Sequence, residues 1–467
     1  MTDLKLLIDG RLEDGDLTME VINPATEAVL RICPRASKAQ LDKAVAAAKA
    51  AFPAWSRTSV ETRKAALNAI AGVIEANAGE LARLLTQEQG KPIADATGEV
   101  YGAAAFFRYF TSLDLPAKVI DDSEGRKVEA RRRPLGVIGA IVPWNFPLIL
   151  MAFKVPAALL AGNTVVLKPA ATTPLSTLRL GELIKDILPA GVLNIIADAN
   201  DLGGELTKHP DVRKISFTGS TATGRRVMAG AAETLKRITL ELGGNDAGIV
   251  LGDVDPKTAA PKIFQGAFQN SGQVCIAMKR VYVHESIYDA MCEELAALAD
   301  AAVVGDGLEQ GTQLGPLQNK MQYDKVLELI EDARRHGKVI AGGGAVDGAG
   351  YFIRPTIVRD ITDGSRLVDE EQFGPVLPII KFSDADDALA RANNSPYGLG
   401  GSIWSADLDK AWSLAEQFDS GTVWINKHAE LAPNIPFGGA RQSGIGSELG
   451  EEGLAEFTQL QVINMAR

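Results

Sequence analysis

Val137-Ile138-Gly139-Ala140-Ile141-Val142, Thr164-Val165-Val166-Leu167-Lys168, Leu193-Asn194-Ile195-Ile196 and Lys214-Ile215-Ser216-Phe217 are four short runs rich in branched residues. Their starts lie 27, 29 and 21 residues apart. Helical or turn segments fill each gap. This alternation predicts βαβ units in a parallel sheet, and so an α/β fold. Such sheets bind ligands beyond the carboxyl ends of their strands. The segments following these runs are therefore the first places to look for function.

Upstream of the runs the chain reads as helical after a short strand region. Leu41, Val45, Ala48 and Phe52 repeat at helical spacing, as do Leu67, Ile70, Val73 and Ile74, and then Leu81, Leu84 and Leu85. Gly90 and Pro92 mark a stop. The polar segment from Leu115 to Arg133 breaks the rhythm and reads as a hairpin excursion. Downstream, a second α/β series begins after Gly244. Asp246 to Leu251 is strand-like, and Ser286 to Val303 has helical apolar spacing. There is no repeat, low-complexity tract or obvious linker. Two closely packed α/β domains fit this pattern.

Composition narrows the function classes. The 467 residues carry 48 Lys+Arg and 59 Asp+Glu, a net charge of −11. An acidic chain without a basic block is a poor partner for nucleic acid or anionic membrane. Cys33, Cys275 and Cys292 are too few for a disulfide framework and suggest a reducing compartment, with a cytoplasmic location expected. Met1 to Gly10 has no long apolar core, so no signal peptide is expected. The apolar stretch from Asn145 to Leu167 is interrupted by Pro147, Lys154, Pro156, Gly162 and Asn163, which argues against a membrane span. Four histidines, none at i,i+4 spacing, give no metal-ligand pattern and leave a histidine-based triad short of bases.

Several residues can carry chemistry. Small and polar residues precede Cys275 in Asn270-Ser271-Gly272-Gln273-Val274-Cys275. A turn there would offer free backbone N–H groups, which favour a thiolate and an oxyanion. The plainer reading of a cysteine is a buried thiol, and Cys33 and Cys292 keep it. Glu241 stands between leucines, before Gly243-Gly244. A desolvated glutamate there can act as a general base; an exposed strand-end glutamate is the plain alternative. Asn145 brings an amide donor to the rigid Pro143–Pro147 turn. Phe217 to Gly224 is a strand, a small-residue turn and a helix start, an arrangement that takes phosphate, although the G-x-G-x-x-G fingerprint is missing. Lys168 puts a cation at a strand's end, where a solvated lysine is equally ordinary.

Taken together and in order, these segments resemble the NAD(P)-dependent aldehyde dehydrogenase superfamily over nearly the whole chain. The matching stretches are Glu88–Pro92 (EQGKP), Pro143–Pro147 (PWNFP), Lys168-Pro169, Phe217–Thr221 (FTGST), Glu241–Gly244 (ELGG), Gly272–Cys275 (GQVC), Phe373–Val376 (FGPV) and Pro436–Gly439 (PFGG). Each alone is weak; eight in the family's order are specific. The resemblance implies that Cys275 attacks the aldehyde, that Asn145 and the Cys275 N–H form the oxyanion hole, and that Glu241 activates the hydrolytic water. It implies proton relay or support from Lys154 and Glu448. It places Ile141, Pro143, Trp144, Lys168, Ala171, Gly203, Gly219, Ser220, Gly224, Leu242, Glu371 and Phe373 around the cofactor, NAD with NADP possible. It also implies a Rossmann-type cofactor domain (1–115 and 135–242), a catalytic domain (243–440) and a small β oligomerisation element (116–134 and 441–467) serving a homodimer or homotetramer.

Two departures refine these expectations. Many NAD-preferring members carry glutamate where this chain has Ala171, so NADP is expected to be tolerated. Ala197 and Ala199 stand where glycines are common. In the substrate pocket, relatives acting on succinate semialdehyde have arginines at the positions of Phe153 and Gln269. Here Leu150, Phe153, Val274, Ile276, Leu431 and Phe437 imply a mainly apolar wall and a neutral aldehyde. His428 falls near the pocket entrance in this comparison, where a surface histidine is the plain reading. The alternatives are a semialdehyde or CoA-acylating dehydrogenase, or a non-catalytic relative. The presence of Glu241 argues against CoA as acyl acceptor, and the presence of Cys275, Asn145 and Glu241 together argues against a non-catalytic protein.

Overall fold

A computed structural model describes residues 4–467. The four runs are parallel strands, joined by a fifth. Their spatial order is Leu193–Ile195, Thr164–Lys168, Val137–Ile141, Val212–Thr218, Arg237–Glu241. The chain lays strands outward on one side of Val137–Ile141 and then on the other. That reversal leaves a crevice at the carboxyl ends of Val137–Ile141 and Val212–Thr218. The first two runs are buried at every position, as expected where both faces of a parallel sheet are covered. Arg237–Glu241 is hidden in the sequence because Arg237, Thr239 and Glu241 interrupt its apolar character. Leu6–Ile8 and Gly444–Ile445 close the two sides of this set antiparallel.

The second sheet orders its parallel strands Thr356–Arg359, Val376–Phe382, Met278–His284, Asp246–Val250, Gly400–Trp404, Thr422–Ile425. Only the strand starting at Asp246 stands out in the sequence. Met278–His284 is masked by Lys279 and Arg280, both buried. The Arg280 guanidinium donates to the Asn245 and Ala392 carbonyls, so its charge is used inside the fold. One apolar core fills the first domain and reaches the Cys275 turn; two more lie against the second sheet.

Three of the expected helices are Lys38–Trp55, Val60–Ala76 and Ala78–Gln89, the last ended by Gly90 at φ +100°. Ile93–Phe110 is an additional helix, whose stripe includes Ala96, Ala103 and Ala104 and reads weakly for that reason. Lys118–Ser123 and Arg126–Pro134 form the hairpin, and Thr458–Ala466 adds a third antiparallel strand beside Arg126–Pro134. Residues 441–457 lie elsewhere: Gly444–Ile445 joins the first sheet, and Gly450–Glu456 is a helix. No helix among the described residues is long and apolar enough to cross a membrane.

The two sheets meet end to edge. Glu241 closes a strand of the first sheet, and Asp246 opens a strand of the second. Only Leu242-Gly243-Gly244-Asn245 lies between them. The carboxyl ends of one sheet thus face the amino ends of the other.

Candidate active site

Cys275 sits in the turn just before Met278–His284, half-buried and unbridged. The loop leading to it is strained. Asn270, Ser271 and Gly272 have φ of 50°, 55° and 73°, three successive left-handed residues. At Gly272 a Cβ would overlap the Gly374 carbonyl. The loop is held by its own side chains. Gln273 Nε2 donates to the Asn270 carbonyl at 2.9 Å, and its Oε1 accepts from the Gln318 N–H at 2.8 Å. Among the described residues the Cys275 N–H donates to no backbone or side-chain acceptor. Burial pushes the thiol up to about 12, the Lys279 cation pulls it down, and Asp246, Glu371 and Glu241 push it up.

Asn145 is brought to this turn directly. Its Nδ2 donates to the Gln273 carbonyl at 2.9 Å. An amide nitrogen carries two hydrogens, so one remains for a ligand. The Asn145 carbonyl is gripped by Lys91 Nζ at 2.9 Å and Asn270 Nδ2 at 3.1 Å. Lys91 also pairs with buried Glu99 and lies 3.6 Å from the Phe146 ring centroid. Glu99 accepts from the Leu148 and Ile149 N–H groups at the start of helix Pro147–Leu160. Glu88 does the same for Leu175 and Ser176. The EQGKP stretch, which had no assigned role in the sequence, therefore anchors one helix start through Glu88 and the Asn145 loop through Lys91.

Glu241 is buried, and neither carboxylate oxygen has a hydrogen-bond partner in the protein. Burial first, then Glu448, holds its carboxyl well above the usual range, against Lys154. Lys154 Nζ donates to Thr218 Oγ1 at 2.7 Å and pairs with Glu448. Glu448 Oε1 also accepts from Ser216 Oγ at 3.2 Å, while its Oε2 has no partner. The glycines after Glu241 permit close packing. A Cβ at Gly243 would lie 2.5 Å from Glu371 Oε2, and one at Gly244 2.6 Å from the Cys275 carbonyl oxygen.

The residues expected around a cofactor border the switch-point crevice. Ile141 ends the first strand, with Pro143 and Trp144 just beyond it. Lys168 ends the second strand, and its ammonium is paired with Asp198 at 2.6 Å. Ala171 lies on the following turn, and Gly203 opens a short helix, with its Cβ position 3.6 Å from Lys168 Cε. Gly219 and Ser220 follow the fourth strand, and Ser220 caps helix Thr221–Ala232 by accepting from Thr223 N–H. A Cβ at Gly224 would overlap the Leu242 side chain. Glu371 Oε1 accepts from the Gly244 N–H at 2.9 Å. Phe373, at φ 51°, meets Trp144 edge-on with centroids 5.4 Å apart.

Leu150, Phe153, Val274, Ile276 and Phe437 are buried in one apolar cluster, with Leu431 and Cys275 packed against it. Phe153 stacks on Phe106 at 4.7 Å. Gln269 is exposed. His428 is not the surface residue expected: its side chain is completely covered. Its ring bonds Ser402 Oγ at 3.0 Å and the Ile276 carbonyl at 2.9 Å, and burial pushes its pKa down to about 3. A neutral histidine fits that position because both ring nitrogens are engaged. A separate cleft of about 700 Å³ lies at the carboxyl ends of the second sheet, lined by Asp253, His284, Asp384 and Asp407 among others. Asp253 there is already bonded to Ser405 and two backbone N–H groups, and none of the residues above lines it.

Residues 12–463 match the model of the aldehyde dehydrogenase family. The chain belongs to that family. It is 42% identical to a mitochondrial aldehyde dehydrogenase of Leishmania tarentolae, covering 99% of this chain and 95% of the relative. Retinaldehyde dehydrogenase 3 of Rattus norvegicus is 41% identical, over 95% of this chain and 88% of its own. The solved NAD+ complex of the Bacillus cereus aldehyde dehydrogenase superposes with a TM-score of 0.97 at 37% identity, covering 100% of this chain and 97% of that one. The α/β fold is thus that of an aldehyde dehydrogenase, and the protein is an enzyme that oxidises aldehydes.

Proposed function

We propose that this aldehyde dehydrogenase converts a neutral aliphatic or aromatic aldehyde to its carboxylic acid with NAD. The carrying observation is the convergence of three groups from distant segments. The Cys275 turn, the Asn145 amide bonded to it, and the unpartnered Glu241 carboxylate all meet where the two sheets face each other. The crevice chemistry fits a dinucleotide. A helix amino end suits a diphosphate, and the Lys168–Asp198 pair and Glu371 suit ribose hydroxyls.

Once its proton has passed to water, the Cys275 thiolate forms a bond from Sγ to the carbonyl carbon while the carbonyl π pair moves to oxygen. One Asn145 N–H and the Cys275 N–H hold that oxyanion. NAD, held by the crevice residues Lys168, Ser220 and Glu371, would supply the hydride acceptor for that carbon. The carbonyl re-forms as a thioester on Cys275. Glu241 takes a proton from water, the water oxygen adds to the thioester, the C–S bond breaks, and the acid leaves with the thiolate restored. Lys154 and Glu448 lie beside Glu241 to pass its proton on.

The apolar wall of Leu150, Phe153, Val274, Ile276, Leu431 and Phe437 supports a neutral substrate, and the rat relative is named for retinaldehyde. A panel of aldehydes with both cofactors tests the reading. Hexanal or benzaldehyde should turn over faster than succinate semialdehyde; the reverse order overturns the substrate class. Acid should form without CoA. Ala171 offers no carboxylate against a 2′-phosphate, so NADP should serve as a second cofactor. A kcat/KM ratio for NAD over NADP above about a thousand, roughly 4 kcal/mol, would reject that.

A further inference from the structure

Lys279 has no place in the chemistry just described, yet it is buried directly against the nucleophile turn. Its side chain is 2% exposed. Its ammonium donates to the Cys275 carbonyl at 2.6 Å, the Val274 carbonyl at 2.9 Å and, at longer range, the Ala277 carbonyl at 3.4 Å. An ammonium has three hydrogens, and here they are directed at one turn. Glu371 Oε1 lies 3.9 Å away and the Phe373 ring centroid 5.9 Å, and the Lys279 charge also acts on Asp246 and His428.

The consequence follows from peptide planarity. In a trans peptide the C=O and N–H point in opposite directions. The Val274 carbonyl accepts from Lys279 and, at 3.1 Å, from the Ala277 N–H, so the N–H of the same peptide, that of Cys275, points away from both. This N–H makes no hydrogen bond among the described residues. The neighbouring peptide is held in the same way through the Cys275 carbonyl. A flipped Val274–Cys275 peptide would put an oxygen where an oxyanion donor is needed. The loop before it already holds two non-glycine residues, Asn270 and Ser271, in the left-handed region, so an external clamp has a clear purpose.

We propose that Lys279 is the positioning residue of the nucleophile: its ammonium fixes the Val274–Cys275 peptide with N–H toward the substrate and places a cation beside the thiol. This rests on the assignment of Cys275 as nucleophile. The charge has few rivals. Asp246, Glu371 and Glu241 face the thiol and oppose its ionisation, and Lys279 favours it. Lys325 bonds the Glu371 carbonyl, Arg280 is engaged with backbone carbonyls, and His428 is neutral.

The test compares Lys279→Met, Lys279→Gln and Lys279→Arg with the wild type. The readouts are kcat, KM for NAD, and the pH profile of iodoacetamide alkylation at Cys275, with Cys275→Ser as blank. Lys279→Met should shift the alkylation midpoint up by about one pH unit, about a tenfold lower rate at fixed pH. Its kcat should fall about 100-fold or more, with KM for NAD within about threefold of wild type. Lys279→Gln should show the same alkylation shift with a smaller fall in kcat, because one donor survives. Lys279→Arg should keep the wild-type alkylation profile. Should the neutral variants fail to fold, the arginine variant decides: a shifted profile in it overturns the proposal. A wild-type profile and kcat in Lys279→Met also overturn it. An active Cys275→Ser enzyme would instead refute the assignment of the nucleophile itself, whatever Lys279 does.

Discussion

Asn145 is fixed from three sides, by Gln273, Lys91 and Asn270. Its side chain is therefore placed before any substrate arrives. Asn145→Ala should lower turnover by about 10²–10³-fold, about 2.7–4 kcal/mol of barrier, while calorimetric NAD affinity stays nearly intact. Unchanged turnover at saturating aldehyde would remove the oxyanion role. In the proposed mechanism Glu241 acts only as the carboxylate, and burial, then Glu448, raises its pKa. Acid formation should therefore rise with pH as Glu241 deprotonates. Glu241→Gln should flatten that rise and slow turnover by about 10²–10⁴-fold, yet leave a first-turnover burst of NADH in stopped flow. Asp246 gives a stability prediction. Burial raises it from 3.8 to about 7. A raised folded value means its contribution is complete below its ordinary pKa and is lost as pH climbs through about 7. Asp246→Asn should therefore show a shallower fall of Tm between pH 4 and 7 by scanning fluorimetry; an identical slope would mean that Asp246 is ionised throughout. At this scale Cys275, Asn145 and Glu241 were singled out by the sequence because each stands in a distinctive motif, and the variants above test their roles. The places of Lys91, Lys279 and His428 were not legible, because a lone Lys or His gives no sign that its polar atoms will find partners inside.

The element that sets the nucleophile is the loop Gln269–Gly272 and the turn after it. Gly272 combines φ +73° with no room for a side chain beside the Gly374 backbone. Gly311 has φ +89° but open space around it. Gly311→Ala should cost about 1 kcal/mol through backbone strain alone. Gly272→Ala should cost more and also reduce turnover, since either backbone must shift. Urea midpoints of the two variants, together with kcat, separate these effects; equal midpoints would show that the loop yields freely. Val137–Ile141 and Thr164–Lys168 were read from their continuous apolar runs because such runs record burial, although the similarly apolar Val376–Phe382 was not. Met278–His284 and Arg237–Glu241 were missed for the converse reason. They bury charge and hydroxyl, and no pattern of hydrophobicity reports a buried lysine whose partners are carbonyls.

The whole molecule leaves one uncovered edge of particular character. Thr458–Ala466 pairs with Arg126–Pro134 on one side only, and its residues Thr-Gln-Leu-Gln-Val-Ile-Asn-Met-Ala carry no charge. Leu460, Val462, Ile463 and Met465 are exposed. Soluble proteins usually protect such edges with charge, which supports the proposed dimer or dimer of dimers. Light scattering should give a multiple of 49.5 kDa, and Val462→Asp with Ile463→Asp should shift the mass toward that of one chain. A wild-type monomer would refute the assembly. The chain order holds one more consequence. The first sheet is begun near the amino terminus, yet its last strand, Gly444–Ile445, and the carboxylate beside Glu241 come after the entire second domain. A ribosome making this protein must therefore release nearly the whole chain before Glu241, Glu448 and Cys275 can coexist. On the proposed mechanism activity is born last, and a product cut short before Glu448 would carry the Cys275 turn and Glu241 without the carboxylate that acts on Glu241.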